Sequence, residues 1–148
     1  MQTNNIPDPS AFRHHADIQL RFSDVDVLGH VNNTVYFAFY DTGKALYFTE
    51  VSGHTVDWRH VDRVIVNVDC AFIDQIVYGE QIEVLTRVIS IGNKSFTMQQ
   101  MLRDKQSGKI KSICTTVMVT FDPETHITIP VSAETRRQIE TYENISFS

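Results

Sequence analysis

Residues 34–51, TVYFAFYDTGKALYFTEV, constrain the fold more than any other stretch. Tyr36, Phe39, Tyr40, Gly43 and Tyr47 recur at helical spacing, and no turn signal interrupts them. A strand usually runs about 5–6 residues, so the length alone argues for a helix. The first turns of that helix are apolar around most of the circumference. The helix is therefore expected to be buried on several sides, covered by the rest of the chain. Asn33 or Thr34 is the expected N-cap, leaving backbone N–H groups near the preceding loop.

What encloses the helix reads as β-structure. DIQLRFS (17–23) alternates, with Ile18, Leu20 and Phe22 on one face. SGHTVDWRHVD (52–62) is a linker. RVIVNVDCAFI (63–73) sets Val64, Val66, Val68, Cys70 and Phe72 on one face, followed by a turn near Gly79. QIEVLTRVISI (81–91), SFTMQQMLRD (95–104) and KIKSICTTVMVTF (109–121) are further strands, joined through GNK (92–94) and KQSG (105–108). Gly92 and Asn93 are expected to take up positive φ in a tight hairpin. SAETRRQIETYE (132–143) is a short helix with Ser132 as N-cap. Consecutive hairpin links imply antiparallel pairing. The expected architecture is α+β: a curved, mainly antiparallel five-stranded sheet wrapped around one long central helix.

The chain has 148 residues, the size of one domain. That domain is expected over 17–148, after a polar, proline-broken arm (1–16) that is partly disordered and carries solvated His14 and His15. The arm lacks the apolar core of a signal peptide, and no apolar run reaches the ~18 residues of a membrane span. The net charge of −5 argues against broad binding to nucleic acid or to an anionic membrane. Cys70 and Cys114 fall in expected strands without a CxxC partner and read as buried reduced thiols, in keeping with a cytoplasmic protein.

DVDVLGHVNN (24–33) gathers two acids, a glycine, a histidine and two asparagines just ahead of the apolar helix. An EF-hand reading fails, because the twelfth position is Val35 rather than Glu and the fifth is Leu28. A zinc site lacks a ligand repeat, since His54 and His60 stand alone in the linker. Two readings remain open. One is a structural turn built on Asp, Asn and Gly29. The other is an acyl-transfer site, in which a carboxylate attacks a carbonyl or activates water beside helix N-terminal N–H groups that stabilise an oxyanion.

The pattern D-x-x-G-H-V-N-N-x-x-Y, from Asp26 through Gly29, His30, Val31, Asn32 and Asn33 to Tyr36, resembles the hotdog-fold acyl-CoA thioesterases of the 4-hydroxybenzoyl-CoA thioesterase type. The resemblance extends over about 17–122, taking in VYGEQIEV and ISIGNKSF. GHVNN is also similar to plant acyl-carrier-protein thioesterases.

This resemblance implies hydrolysis of an acyl-CoA thioester to free acid and coenzyme A, with no cofactor and no metal, coenzyme A being part of the substrate. Asp26 matches the catalytic aspartate, as nucleophile or general base. Asn33 matches the position whose backbone N–H polarises the thioester carbonyl. His30 and Asn32, often apolar or aromatic in this family, would orient water or Asp26, or hydrogen-bond the loop. Tyr36 leads the helix on the substrate side, packing rather than reacting. Asp41, on the helix where another hotdog branch places a catalytic Glu, and Asp24 are the second-choice carboxylates. Gly92, Asn93, Lys94 and Ser95 resemble the segment that meets the nucleotide end of coenzyme A, Lys94 pairing with a phosphate. The implied assembly is a homodimer or homotetramer with active sites between protomers. An acyl-carrier-protein thioesterase and a non-catalytic acyl-CoA-binding protein are the alternatives. A hotdog dehydratase is disfavoured, because neither H-F-P-G nor D-x-N-P-x-H occurs.

Overall fold

The computed structural model of the chain describes residues 5–57 and 59–147. In order it runs through β1 (His14–Asp17), α1 (Asn33–Ser52), β2 (Arg63–Phe72), β3 (Ile82–Ile91), β4 (Ser95–Asp104), β5 (Ile110–Thr120) and α2 (Ala133–Glu143). The strands form one antiparallel sheet in the order β1-β3-β4-β5-β2. The sheet wraps α1, the arrangement of the hotdog fold. Residues 1–4 of the expected arm lie outside the described residues.

The helix buries Tyr36, Phe39, Tyr40, Gly43, Lys44 and Tyr47 against the sheet. Gly43 permits the close approach: a Cβ there would stand 2.8 Å from both Val84 Cγ2 and Gln100 Nε2. Gln100 instead reaches the helix backbone, donating to Tyr40 O at 3.0 Å and to Thr86 Oγ1 at 3.0 Å. At the other end Tyr47 Oη donates to Glu143 at 2.6 Å, and the same carboxylate oxygen accepts from Val88 N, so α2 is tied to both α1 and β3.

Four expectations are corrected. The first strand is His14–Asp17 rather than 17–23. Asp17 pairs with Glu83, and Ile18 N still donates to Ile82 O, but β3 begins at Ile82, so nothing beyond it offers a ladder. Ile18 and Leu20 alternate because they pack against the core without pairing. Within the expected loose arm, Phe12 is buried against Leu85 and Met101. His14 is buried too, its ring 5.7 Å from Tyr47 and 6.5 Å from Tyr142, while His15 stays exposed.

A bulge between Ile65 and Asn67 breaks the simple alternation of β2. Arg63 and Ile65, paired with Thr120 and Met118, therefore share the helix-facing side with Val68, Cys70 and Phe72, and Val64 and Val66 do not. Finally, neither Gly92 nor Asn93 takes a positive φ. The turn is held from outside, because the carbonyls of Gly92, Asn93 and Lys94 accept from Arg136, Val131 N and Thr120 N.

Candidate active site

Val25 and Val31 pair as an isolated antiparallel bridge, which makes 26–30 a tight turn. Asp26 N donates to His30 O at 2.9 Å and Gly29 N to Asp26 O at 3.0 Å. Gly29 adopts φ 79°, the left-handed conformation that favours glycine. Asp26 is exposed at the head of the turn; its Oδ1 accepts from Leu28 N at 2.9 Å, and no described residue bonds its second oxygen. Val27 and Leu28 form an apolar, solvent-facing tip.

The helix start follows at once. Its N-cap is Asn32, not Asn33 or Thr34: Asn32 Oδ1 accepts from Thr34 N at 3.0 Å and from Thr34 Oγ1 at 2.9 Å. Because the cap serves the second helical amide, the exposed N–H of Asn33 has no acceptor among the described residues. A carboxylate oxygen and a helix N-terminal donor thus stand uncommitted within eight positions of sequence joined by a closed turn.

A second loop fixes this turn from below. Val31 N donates to Ile76 O at 2.8 Å, His30 bridges Val77, and Ile76 N donates to Tyr36 Oη at 3.3 Å. Lys111, only 3% exposed, holds that loop. Its Nζ lies 3.0 Å from Glu80, 3.5 Å from Asp74 and 2.9 Å from Gln75 O. Glu80 in turn accepts from Val77 N at 2.6 Å. A lone buried lysine carries no motif, so the sequence offered no signal for this role.

A groove opens between α1 and β2 from Asp41 onward, two turns past the helix start. Phe37, Asp41, Lys44 and Phe48 descend one helix face at spacings of three and four. Phe72, Val68, Ile65 and Arg63 face them. Phe72 meets Tyr36 at 5.1 Å and Phe37 at 6.4 Å, and Arg63 lies over the Phe48 ring at 4.6 Å. The groove ends in a cavity of about 510 Å³ whose wall includes Asp41, Lys44, Phe48, Val51, Arg63 and Met118. Lys44 is buried and lies 3.8 Å from the exposed Asp41. Burial lowers its ammonium pKa, against the pull of that carboxylate.

The residues singled out from the sequence are thus sorted. Asp26, His30, Asn32 and Asn33 are brought together. The His30 side chain makes no hydrogen bond among the described residues. Asn32 caps the helix. Tyr36 is 1% exposed and packs in the core, its Oη accepting from Ile76 N. Asp24 is 2% exposed and accepts from Arg21 N at 2.8 Å and Arg21 Nη2 at 3.1 Å. Gly92, Asn93, Lys94 and Ser95 lie at the other end of β3 from the Asp26 loop. Ten residues of β3 separate the two regions, about 30 Å at a strand's rise. No group of three or more His, Cys, Asp or Glu side chains among the described residues is arranged to hold a metal ion. No helix among them is long and apolar enough to cross a membrane.

A family model for the thioesterase-like superfamily matches residues 20–139. A thioesterase from Thermus thermophilus, solved in complex with coenzyme A and Zn, superposes with a TM-score of 0.80 at 23% identity, over 90% of this chain and 96% of that one. A 1,4-dihydroxy-2-naphthoyl-CoA thioesterase from Synechocystis superposes with a TM-score of 0.74 at 11% identity, over 84% and 93%. The uncharacterized protein YsmA of Bacillus subtilis is 21% identical over 92 residues; the match spans 62% of this chain and 62% of that relative.

Proposed function

The chain belongs to the thioesterase-like superfamily, and from that premise we propose that it hydrolyses acyl-CoA thioesters, with Asp26 as the catalytic carboxylate. One observation carries the reading. An exposed carboxylate and an unpartnered helix N-terminal N–H stand one tight turn apart at the start of α1. Asp26 attacks the thioester carbonyl or takes a proton from the attacking water. The Asn33 N–H stabilises the developing oxyanion, a donor of this kind contributing about 3 kcal/mol to the barrier. The acyl group lies along the groove towards Asp41, and the coenzyme A thiolate leaves past the apolar tip at Val27 and Leu28.

The Thermus thermophilus thioesterase of the same fold, solved with coenzyme A, supports acyl-CoA rather than acyl-carrier protein as the donor. The assembly proposed is a homodimer or a dimer of dimers joined through β2. This edge strand runs from the Gly92–Ser95 end of the sheet to the Asp26 end. Two-fold antiparallel pairing of β2 with its copy sets one protomer's Lys94 near the other's Asp26, which gives the nucleotide end of coenzyme A a cation. The site is then shared between protomers.

The test is release of free thiol from a panel of short, long, branched and aromatic acyl-CoAs. At least one is hydrolysed, and Asp26→Asn loses about 100-fold or more in kcat. If Asp26→Asn keeps its activity while Asp41→Asn loses it, the carboxylate is misassigned. Acyl-CoA binding without any cleavage points to the non-catalytic binder instead.

A further inference from the structure

We propose that Cys70 and Cys114 form a thiol-oxidation site, a cross-strand dithiol that hydrogen peroxide closes into an intrachain disulfide. Cys70 on β2 and Cys114 on β5 are directly opposed in the antiparallel register. Opposed residues in such a ladder have Cα atoms about 4.5–5.5 Å apart, inside the range of about 4.4–6.8 Å that a disulfide spans. Both side chains lie on the helix side of the sheet. Cys114 is buried in the cluster that contains Tyr36 and Tyr40, and Cys70 packs against that cluster. Cys70 Sγ is 3.5 Å from Ser112 Oγ, and Cys114 Sγ is 3.7 Å from Thr116 Oγ1. Both cysteines are free thiols, so closure needs side-chain rotation and no shift of strands.

The two thiols are not equivalent. Cys70 is half-buried and stands between Val68 and Phe72 on the helix side of β2, the more accessible of the two thiols. Donation from the Cys114 thiol holds the Cys70 pKa down to about 7, outweighing burial, with Ser112 and the Lys44 ammonium helping and Asp69 opposing. The same contact pushes Cys114 up. Cys70 therefore attacks and Cys114 resolves. The Cys70 thiolate attacks one peroxide oxygen, the O–O bond breaks, and hydroxide leaves behind a sulfenic acid. The Cys114 sulfur then attacks the sulfenic sulfur: the S–S bond forms, the S–O bond breaks, and the departing oxygen takes up the thiol proton to leave as water. Two electrons pass from the dithiol to the peroxide. The product ties the edge strand β2 covalently to β5. It also draws Cys70 off Ser112, whose hydroxyl accepts from Tyr40 Oη at 2.7 Å.

The inference is independent of the hydrolytic reading, since neither thiol acts in it. The full-length protein is titrated with hydrogen peroxide and followed by intact mass and non-reducing peptide mapping. The expected result is a loss of two hydrogen atoms per chain, a single linked pair of peptides carrying residues 70 and 114, and full reversal by dithiothreitol. Cys114→Ser traps a sulfenic acid on Cys70 that a dimedone probe labels, and Cys70→Ser consumes peroxide at least about tenfold more slowly. Three results each overturn the proposal: direct passage of Cys70 to sulfinic acid with Cys114 still free in the wild-type chain, a linkage only between chains, or equal rates in Cys70→Ser and wild type.

Discussion

Asp24 commits both of its carboxylate oxygens to Arg21, while Asp26, two residues on, stands in solvent with one oxygen held by the Leu28 amide. Asp41 is exposed as well, but it belongs to the helix face beside Lys44, eight residues past the helix start. Surroundings, rather than residue type, separate the three carboxylates. His14 shows the same rule in a titratable base. Burial lowers its pKa below the ordinary 6.5, Glu50 pulling the other way, and its Nδ1 is buried without a hydrogen-bond partner among the described residues. With the folded value below the unfolded one, the unfolded chain takes up the proton first as pH falls. The stability His14 contributes is complete above about pH 6.5 and is lost as pH drops through that value. The melting temperature should therefore fall between about pH 7.5 and about pH 5.5, and fall less in His14→Phe. Identical slopes in the two proteins would rule out His14 as the source.

At the scale of elements, the Asp26 turn is held by neighbours that carry no chemistry. The loop between β2 and β3 supplies Ile76 O and Val77 to residues 30 and 31, and Lys111 on β5 anchors that loop through Glu80, Asp74 and a carbonyl. Lys111 is the buried member and its carboxylate partners are partly exposed, so removing it costs chiefly its charge-assisted hydrogen bonds, about 2 kcal/mol. Lys111→Met is accordingly expected to lower the melting temperature by about 5–10 °C and to speed hydrogen exchange at the Val31 amide. With the turn loosened, kcat for thioester hydrolysis should fall more than KM rises, and Lys111→Arg should recover most of it. A variant that loses stability but keeps wild-type kcat would confine Lys111 to a structural part. The long helix and β3 to β5 were legible from periodicity, because apolar spacing follows directly from which side faces the core. The bulge that moves Ile65 and Arg63 to the helix side of β2 was not, because a one-residue insertion in a ladder leaves no mark on composition.

For the molecule as a whole, the decisive fact is that the Asp26 loop and the Gly92–Ser95 turn sit at opposite ends of one sheet. On the proposed reading, one coenzyme A meets the Asp26 loop of one protomer and the Gly92–Ser95 turn of its copy. The ten-residue edge strand β2 also leaves Val64 and Val66 exposed, the kind of long apolar edge that folded proteins cover or pair. Placing lysines there (Val64→Lys with Val66→Lys) should turn the assembly into monomers by sedimentation velocity. Hydrolysis should be lost at the same time, although Asp26 and Asn33 are untouched. Full activity in a monomeric variant would show that each chain carries a complete site.

The amino-acid sequence by itself determined that one long helix packs against an antiparallel sheet, since so apolar a helix needs such a partner, although Phe37, Asp41 and Leu46 stay exposed on its outer side. It also brought Asp26, His30, Asn32 and Asn33 together, because a tight turn at Gly29 joins them within a few residues. Tertiary structure decided the rest. It buried Asp24, Tyr36 and His14, it set Lys111 under the loop that carries Asp26, and it placed Cys70 opposite Cys114. Each of these depends on residues far apart in the chain, where only the register of strands and the packing of α1 settle which groups meet.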